Sequence, residues 1–221
     1  MRDKVFIIGG GPSLKNFDFN RLKDEDTIVT NVAVFDVPNP DYFITVDYTF
    51  LQKVKSRLKK FQRLEMKKVF IVGMHHNFMR EVDDVFIDLK HKILYDLSLF
   101  NMIVQAKRED GIGYTFDDFR TGINSGYCAL QLAIILGYKE IYLLGMDLTP
   151  QRETHYHHLY FRSKRTFDKL LKKYSEFFRQ GISQVAEERP DIKIYSCSSV
   201  SSLNDLIPYV PLERIGKEDD R

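Results

Sequence analysis

The chain has 221 residues, of which 43% are hydrophobic and 29% are charged, and its formal net charge is +2. This length allows one well-buried domain, and the composition is ordinary for a globular protein, which argues against a disordered or fibrous chain. The nearly balanced charge gives no general support for binding to a polyanion, so we expect no nucleic-acid partner.

The cysteines and the apolar stretches predict a cytoplasmic protein. Cys128 and Cys197 lie in apolar segments, and their spacing matches no zinc motif, so we expect buried thiols in a reducing compartment. We expect no signal peptide, because the first residues run directly into a strand. The longest apolar stretch, residues 130–144, is interrupted by Lys139 and Glu140 and is too short to cross a bilayer.

The first motif is an apolar run, Val5–Ile8, that passes directly into glycines, a proline and a serine. It predicts a buried strand that ends in a glycine loop, with Ser13 as the cap of a following helix. Free backbone N–H groups and a helix N-terminus at such a junction favour an anion, most often a phosphate. We therefore expect a nucleotide site formed by Gly9, Gly10, Gly11 and Ser13.

Strand and helix signals alternate along the rest of the chain, which is the α/β pattern. The predicted strands are Lys4–Ile8, Thr27–Thr30, Tyr42–Val46, Lys68–Val72, Ile141–Leu144 and Ile192–Tyr195. The predicted helices are Leu14–Leu22, Thr49–Arg63, Ser125–Leu136 and Phe167–Glu188. Many of the strands are continuous apolar runs, which is typical of parallel strands covered on both faces.

These elements predict a Rossmann-like α/β fold with a mostly parallel sheet and helices on both faces. We expect a single nucleotide-binding domain over residues 1–215. Residues 78–122 lack a clean periodicity and are predicted to form an insertion or a lid over the site. Residues 216–221 are predicted to be a disordered tail.

Polar or glycine residues follow four of the predicted strands. Ligands of open α/β sheets bind at the carboxyl ends of the strands, so these residues are candidates for one site. They are the glycine loop, Asn31, Asp47 and the Gly145–Asp147 segment. Asn124 and Ser125 begin the clearest helix, which predicts both an N-cap and a second helix start that faces an anion.

Three of the six histidines lie together at His155, His157 and His158, shortly after Asp147. The unperturbed pKa of histidine is close to neutrality, so one of them suits the role of a general base near a nucleotide. The alternatives are an incidental surface cluster, or a divalent ion held by His155 and His157, which would face the same way on an extended strand.

The segment Lys53–Lys68 contains eight basic residues and one acidic residue. One interpretation is the solvated face of a helix. The other is contact with an anionic partner, such as a lipid surface, a polyanionic glycan or nucleic acid, and for the lipid case the protein would be peripheral to the inner face of the membrane. The oligomeric state is left open, although compact domains of this kind often associate.

Two of these motifs carry a resemblance to a known family. VFIIGGGPSLK, at the start of the chain, and residues 123–147 resemble the bacterial sialyltransferases that use CMP-sialic acid, glycosyltransferase family 42. Residues 194–206 resemble the last strand and serine-containing loop of that family more loosely. The GPSL start, the phrase PDYFITVD and the Gly-x-Asp end also resemble a wider group of proteins related to the archaeal hydroxymethylpterin diphosphokinases.

The sialyltransferase resemblance implies an inverting transfer from a CMP-sialic acid-like donor to a glycan acceptor, without a metal or another cofactor. In that case the glycine loop and Asn31 would hold the donor nucleotide, and Asn124, Ser125 and Gly126 would contact the cytidine phosphate or ribose. The resemblance implies a catalytic histidine in the loop after Asp147, and among the three candidates we favour His158.

The chain departs from the sialyltransferase pattern at several positions, and three of them bear on the donor and the leaving phosphate. Gly10 stands where the family has an asparagine in its glycine loop, and Asp47 stands where it has an asparagine that contacts the donor. Thr149 occupies the place of a tyrosine that stabilises the leaving phosphate. Tyr156 or Tyr160 would be the substitute for that tyrosine.

Two other functions are compatible with the same residues. In a diphosphokinase, Asp47 and Asp147 would share Mg²⁺ and bridge the oxygens of ATP. In a non-catalytic nucleotide binder, the fold would be kept without the chemistry.

Overall fold

The main sheet has seven strands, and each is parallel to its neighbours. The computed structural model describes residues 3–47, 49–72, 78–81, 85–88, 93–96, 99–150, 155–156 and 164–215. In chain order the strands are β1 (Lys4–Ile8), β2 (Thr27–Thr30), β3 (Tyr42–Thr45), β4 (Lys67–Val72), β5 (Phe78–Glu81), β6 (Val85–Asp88), β7 (Ile93–Asp96), β8 (Met102–Gln105), β9 (Glu140–Leu144) and β10 (Lys193–Ser196).

The strand order of the main sheet is β10-β9-β1-β2-β3-β4-β8. The chain therefore builds outward from β1 on one side and then returns to add β9 and β10 on the other. The six predicted strands are confirmed to within one residue at each end. This parallel sheet, covered on both faces, confirms the predicted Rossmann-like α/β fold.

The α-helices are α1 (Phe50–Lys53), α2 (Leu58–Arg63), α3 (Ser125–Ile135) and α4 (Lys164–Glu188). Short 3-10 turns lie at Pro12–Leu14, Phe19–Leu22, Asn31–Phe35, Lys55–Arg57, Phe116–Asp118 and Leu212–Arg214. The prediction of a helix over Leu14–Leu22 is wrong. Asp18 is extended there, and its side chain accepts a hydrogen bond from the N–H of Asn20, an arrangement that competes with a continuous helix.

The predicted helix Thr49–Arg63 is interrupted at Val54 and forms α1, one 3-10 turn and α2. Phe50, Val54 and Phe61 are nevertheless all buried. The apolar spacing that predicted one long helix is therefore used for packing, although the backbone is not continuous.

Side chains alternate between the two faces of the sheet. Val5 and Ile7 of β1 contribute to the hydrophobic cluster that contains the apolar residues of α3 and α4. Phe6 and Ile8 contribute to the opposite cluster, which is covered by α1, α2 and several 3-10 turns. This two-sided burial explains why the strands lack an apolar/polar alternation.

Residues 78–122, predicted as an insertion or a lid, include four strands. β5, β6 and β7 form a separate antiparallel sheet, whereas β8 joins the main sheet beside β4. The predicted tail at residues 216–221 lies outside the described residues. Among the helices that the structure describes, none is long and apolar enough to cross a bilayer.

A buried glutamine joins α3 to the loop that leads into it. The side chain of Gln131 is fully buried, and its Oε1 accepts hydrogen bonds from the N–H groups of Gly113 and Arg120, both at 3.0 Å. Its Nε2 donates to the carbonyl of Arg120. One amide thus satisfies three backbone groups that would otherwise be buried without partners.

Replacing this amide tests its role. We expect Gln131→Leu to lower the free energy of unfolding by about 3 kcal/mol, because it leaves buried backbone groups unpaired. The measurement is urea unfolding followed by circular dichroism. The matched control is Gln180→Leu on the exposed side of α4, which should change the free energy by less than about 0.5 kcal/mol. Equal effects of the two variants would contradict the assignment.

Candidate active site

The four predicted clusters lie beyond the carboxyl ends of four adjacent strands, β9, β1, β2 and β3. The chain leaves β1 towards β2 on one side, and β9 is added on the other side. β1 and β9 therefore form the topological switch point, where open α/β sheets have their ligand crevice. The glycine loop of residues 9–11 follows β1, and the Gly145–Asp147 segment follows β9.

Hydrogen bonds join the glycine loop to the segment after β9. The N–H of Gly9 donates to the carbonyl of Leu144 at 2.8 Å, and the N–H of Gly11 donates to that of Gly145 at 2.8 Å. The N–H of Ser13 donates to Asp147 Oδ2 at 2.9 Å. These bonds correct the expectation that the loop presents a set of free N–H groups, because most of its donors are used within the protein.

Gly10 is the exception in this loop. It is half-buried, and its N–H has no acceptor among the residues that the structure describes. Its carbonyl accepts a hydrogen bond from the N–H of Tyr156 at 3.0 Å. The loop therefore offers one backbone donor to a ligand, and it does so at the position where a side chain was expected from the family resemblance.

Close approach of the two segments explains the glycines on either side of Gly10. A Cβ atom at Gly9 would lie 2.8 Å from the carbonyl oxygen of Gly145, and one at Gly11 would lie 2.6 Å from the same oxygen. Gly145 itself has a φ of +66°, the left-handed conformation that glycine adopts without strain. These glycines are thus required by contacts between protein segments.

Asp147 holds the beginning of the 3-10 turn at Pro12–Leu14. Its side chain accepts from the Ser13 hydroxyl at 2.6 Å and from the Ser13 N–H at 2.9 Å, and the residue is 4% exposed. The prediction that Ser13 caps a helix is therefore wrong, because Ser13 lies within the 3-10 turn and binds Asp147. Both carboxylate oxygens of Asp147 are engaged by the protein.

Asn31 lies at the carboxyl end of β2 in a fixed orientation. Its φ is +50°, and its Oδ1 accepts hydrogen bonds from Thr45 Oγ1 at 2.7 Å and from Ser125 Oγ at 3.4 Å. Ser125 Oγ also accepts from the N–H of Val46 at 3.1 Å. Asn31, Ser125 and the end of β3 are thus brought together, as the sequence predicts.

Asn124 is confirmed as the N-cap of α3. Its Oδ1 accepts from the N–H groups of Gly126 at 2.8 Å and Tyr127 at 3.1 Å. A Cβ atom at Gly126 would lie 2.5 Å from Met146 Sδ. Because the thioether of Met146 occupies the space next to Gly126, the start of α3 lies directly against the segment after β9.

Three residues other than glycine at this edge of the sheet have a left-handed backbone. They are Asn31, Ile123 and Leu148, with φ of +50°, +46° and +52°. Asparagine adopts this conformation readily, whereas it costs about 1–2 kcal/mol for other residues and is especially unfavourable for the β-branched Ile123. Strained residues cluster at functional sites, so this edge of the sheet is a candidate site on backbone geometry alone.

Asp47 is paired with a lysine from the following helix. Its carboxylate accepts from Lys53 Nζ at 2.7 Å and from the N–H and hydroxyl of Thr49 at 2.9 and 2.7 Å. Burial would raise the pKa of Asp47, but the Lys53 ammonium and these hydrogen bonds outweigh it and hold the pKa below its usual value. The backbone N–H of Asp47 donates to Thr45 Oγ1, so Thr45 joins Asp47 to Asn31.

The carboxylates of Asp47 and Asp147 were the magnesium ligands of the diphosphokinase interpretation. Each of them accepts hydrogen bonds from protein side chains, from Lys53 and Thr49 or from Ser13. Among the described residues there is no group of three or more His, Cys, Asp or Glu side chains arranged to hold a metal ion.

The loop after β10 also reaches this edge, and the sequence analysis did not assign it to the site. Ser201 Oγ donates to the carbonyl of Met146 at 2.8 Å, and the N–H of Ser202 donates to that of Asp147 at 3.0 Å. Thr149 Oγ1 donates to the same Asp147 carbonyl at 3.1 Å. The serine-rich composition of residues 196–202 is the sequence signal that could have predicted these hydrogen bonds.

Of the histidine segment, the structure describes His155 and Tyr156, while His157 and His158 lie outside the described residues. The ring of His155 lies 4.9 Å from that of Phe167 at the start of α4. The Tyr156 hydroxyl donates to Asp36 at 2.8 Å, and burial together with this carboxylate raises its pKa. That bond uses the proton that Tyr156 would need in order to stabilise a leaving phosphate.

The pairing of Asp47 has a testable pH dependence. Because its pKa is lower in the folded than in the unfolded state, the ionised Asp47 stabilises the fold above its usual pKa of 3.8, and this contribution is lost as the pH falls through the lower folded value. We expect the difference in unfolding free energy between the wild type and Asp47→Asn to be largest near about pH 6 and to shrink below about pH 4.

Denaturant titrations at several pH values measure this difference. Lys53→Met should remove most of the same pH dependence, because it removes the partner. Asp117→Asn, at an exposed position, is the matched control. A difference for Asp47→Asn that does not change with pH would contradict the assignment.

Comparisons with known proteins agree with this geometry at the level of the fold. No protein-family model matches the chain, and no curated protein sequence matches it. Among solved structures, the sialyltransferase CstII from Campylobacter jejuni in complex with cytidine-5'-monophosphate aligns with a TM-score of 0.51 and 22% identity. This alignment covers 95% of this chain and 85% of that one.

Two further structures give similar values. A CstII variant in complex with CMP aligns at a TM-score of 0.51 and 18% identity, over 97% of this chain and 88% of that one. The monofunctional alpha-2,3-sialyltransferase Cst-I from Campylobacter jejuni aligns at 0.52 and 16%, over 98% and 82%. At these identities the likeness concerns architecture, and the chain has the fold of these sialyltransferases.

Proposed function

We propose that this protein is a sialyltransferase-like glycosyltransferase, which transfers a sugar from a nucleotide-sugar donor to a glycan acceptor. The observation that carries the proposal is the crevice beyond β1 and β9, where Asn31, Ser125 and the glycine loop converge. The shared fold supports a cytidine nucleotide, because the neighbouring structures contain CMP. We therefore propose a CMP-sialic acid-like donor.

Asn31 is the residue that we assign to the donor most directly. Because its Oδ1 is held by Thr45 and Ser125, the orientation of the amide is fixed and its Nδ2 is the remaining polar group. This Nδ2 has no acceptor within the described part of the chain. A fixed, unused donor in a half-buried position suits a phosphate or ribose oxygen.

Gly10 supplies the second donor. Its N–H and the positive end of α3 would both stabilise negative charge on the phosphate as the bond to the sugar breaks. Thr149 and Tyr156 have hydroxyl groups that donate within the protein, so in this proposal the leaving phosphate depends on Gly10, Asn31 and the start of α3.

The pairing of Asp47 is compatible with an anionic donor. An uncompensated carboxylate at the end of β3 would repel a nucleotide phosphate. The ammonium of Lys53, 2.7 Å from Asp47 Oδ2, balances that charge. The chain therefore keeps an acid where the resembled family has an amide, and the charge of that acid is paired with Lys53 at the end of β3.

We assign the general base to the histidine segment after Asp147. The hydrogen bond from the N–H of Tyr156 to the carbonyl of Gly10 supports this assignment, because it holds the residue between His155 and His157 beside the glycine loop. A histidine there would remove the proton from the acceptor hydroxyl while the sugar inverts at its anomeric carbon. His158 is our first choice, followed by His157 and His155.

Nucleotide binding by calorimetry tests the donor site. We expect the protein to bind CMP, and Asn31→Ala to weaken binding by about 10- to 100-fold, since one hydrogen bond to a charged group is lost. Thr45→Val should weaken it by a smaller factor, because Thr45 acts by orienting Asn31. Asn16→Ala, at an exposed position, is the matched control.

The proposal fails if none of CMP, CDP and UDP binds. Magnesium-dependent binding of ATP that is lost in both Asp47→Ala and Asp147→Ala would support a diphosphokinase. Metal-independent binding of CMP would argue against it.

Activity assays test the base. We expect release of CMP from CMP-sialic acid in the presence of a glycan acceptor, and a loss of about 10²- to 10⁴-fold in kcat for His158→Ala. The dissociation constant for CMP should stay unchanged in this variant. His157→Ala and His155→Ala are measured beside it, and the histidine that gives the large loss is the base. Full activity in all three variants would overturn the assignment, and binding of CMP without turnover in the wild type would indicate a non-catalytic binder.

A further inference from the structure

Six basic side chains are exposed along the segment that follows α1 and ends at the first residue of β4. This basic surface consists of Lys55, Arg57, Lys59, Lys60, Arg63 and Lys67, and the only acidic residue within the same segment is Glu65. None of the six forms an ion pair with an acidic residue in the described part of the chain. The basic surface is therefore a local field of uncompensated positive charge.

The charge distribution of the chain is asymmetric. The basic surface and Glu65 together have a net charge of +5, whereas the whole chain has a formal net charge of +2. The rest of the molecule is thus net negative. A negatively charged partner would therefore be attracted to the basic surface and repelled by the rest of the molecule.

Packing holds the basic surface in a fixed position. Phe61 of α2 is fully buried, with its ring centroid 5.0 Å from Phe43 and 5.3 Å from Phe50. Above it, Lys60 Nζ donates to the carbonyl of Phe35 at 3.2 Å, and the Arg57 guanidinium lies 5.4 Å from the Phe35 ring. The buried Phe61 therefore fixes the position of the segment, while the basic side chains around it are exposed to solvent.

The composition of this surface distinguishes between anionic partners. Proteins that bind single-stranded nucleic acid stack bases on exposed aromatic rings. Phe35, the ring beneath Arg57 and Lys60, is only 8% exposed and is covered by these cations. Leu58, Leu64 and Met66 lie between the basic residues and are half-buried. Basic heads interspersed with partly accessible apolar side chains match an anionic lipid interface.

We propose that the basic surface binds the anionic headgroups of a phospholipid membrane. Each lysine or arginine near such a surface adds to the attraction, and clusters of four to eight are typical of proteins that bind anionic lipids. The interaction is electrostatic and between exposed groups, so salt screens it.

The basic surface lies on the Phe6 face of the sheet, where α1 and α2 pack. It runs from the end of α1 to Lys67 at the amino end of β4, which is in register with Tyr42 at the start of β3. Because the crevice lies at the carboxyl ends of the strands, this surface extends away from it, and the membrane proposal is independent of the proposed function.

Vesicle binding of the full chain tests the proposal. At low salt, the protein should sediment with phosphatidylcholine vesicles that contain phosphatidylglycerol. It should stay in the supernatant with vesicles of phosphatidylcholine alone. High salt should release it. The double variant Lys59→Glu/Arg63→Glu should bind at least about tenfold more weakly.

The matched control is Lys169→Glu/Lys172→Glu, which makes the same charge change at exposed positions of α4. It should bind vesicles nearly as well as the wild type, and circular dichroism checks that both variants fold. Absence of binding at low salt, or equal losses in the two double variants, would overturn the proposal. Binding to a single-stranded oligonucleotide that exceeds binding to anionic vesicles would also overturn it, in favour of nucleic acid. CMP affinity is measured in parallel, so that failure at the membrane is distinguishable from failure at the nucleotide site.

Discussion

The close approach of the segments after β1 and β9 is the constraint on which the candidate site depends. β1 and β9 are hydrogen-bonded neighbours, and the pairing continues beyond the sheet through Gly9 and Gly11. Asp147 extends it further by accepting two hydrogen bonds from Ser13. Two segments separated by more than 130 residues in the chain thereby become one wall of the crevice. The other groups, at Asn31, Ser125 and Asp47, are arranged around this wall.

The same constraint explains how the glycine loop differs from a simple phosphate cradle. A sequence of three glycines before a proline and a serine is compatible with free N–H groups, and the pattern alone cannot show where the neighbouring strand ends. Here the neighbour supplies carbonyl groups within hydrogen-bonding distance, and the loop uses most of its donors on them. In the described part of the chain, the N–H of Gly10 and the Nδ2 of Asn31 are among the groups at this edge whose hydrogen-bond donors are unused.

The architecture was accessible from sequence because its signals are local. Apolar runs such as Val5–Ile8 and a capped helix such as that beginning at Asn124 depend on residues that are close in the chain. The carboxyl-end rule then brings residues 9–11, Asn31, Asp47 and 145–147 to one edge without further information. β8 was not predicted, because it is a short strand at the edge of the sheet. Three of its four residues are exposed, so its sequence shows little apolar pattern.

The hydrogen-bond partners within the site could not be predicted, because they depend on which residues meet across the fold. Asp147 and Asp47 looked alike as acids at strand ends. In the structure, Asp147 accepts hydrogen bonds from Ser13 and joins two loops. Asp47 instead pairs with Lys53, which balances its charge. Thr45 carried no sequence signal, yet its hydroxyl bonds both Asn31 and the backbone of Asp47.

Met146 connects the crevice to the redox state of its surroundings. Its thioether lies in the space that a Cβ atom at Gly9 or Gly126 would enter, and the residue is 6% exposed. Conversion to the sulfoxide would add an oxygen and a dipole to this contact between the start of α3 and the glycine loop. The packing at the crevice would therefore respond to oxidation of a methionine, although neither cysteine lies within it.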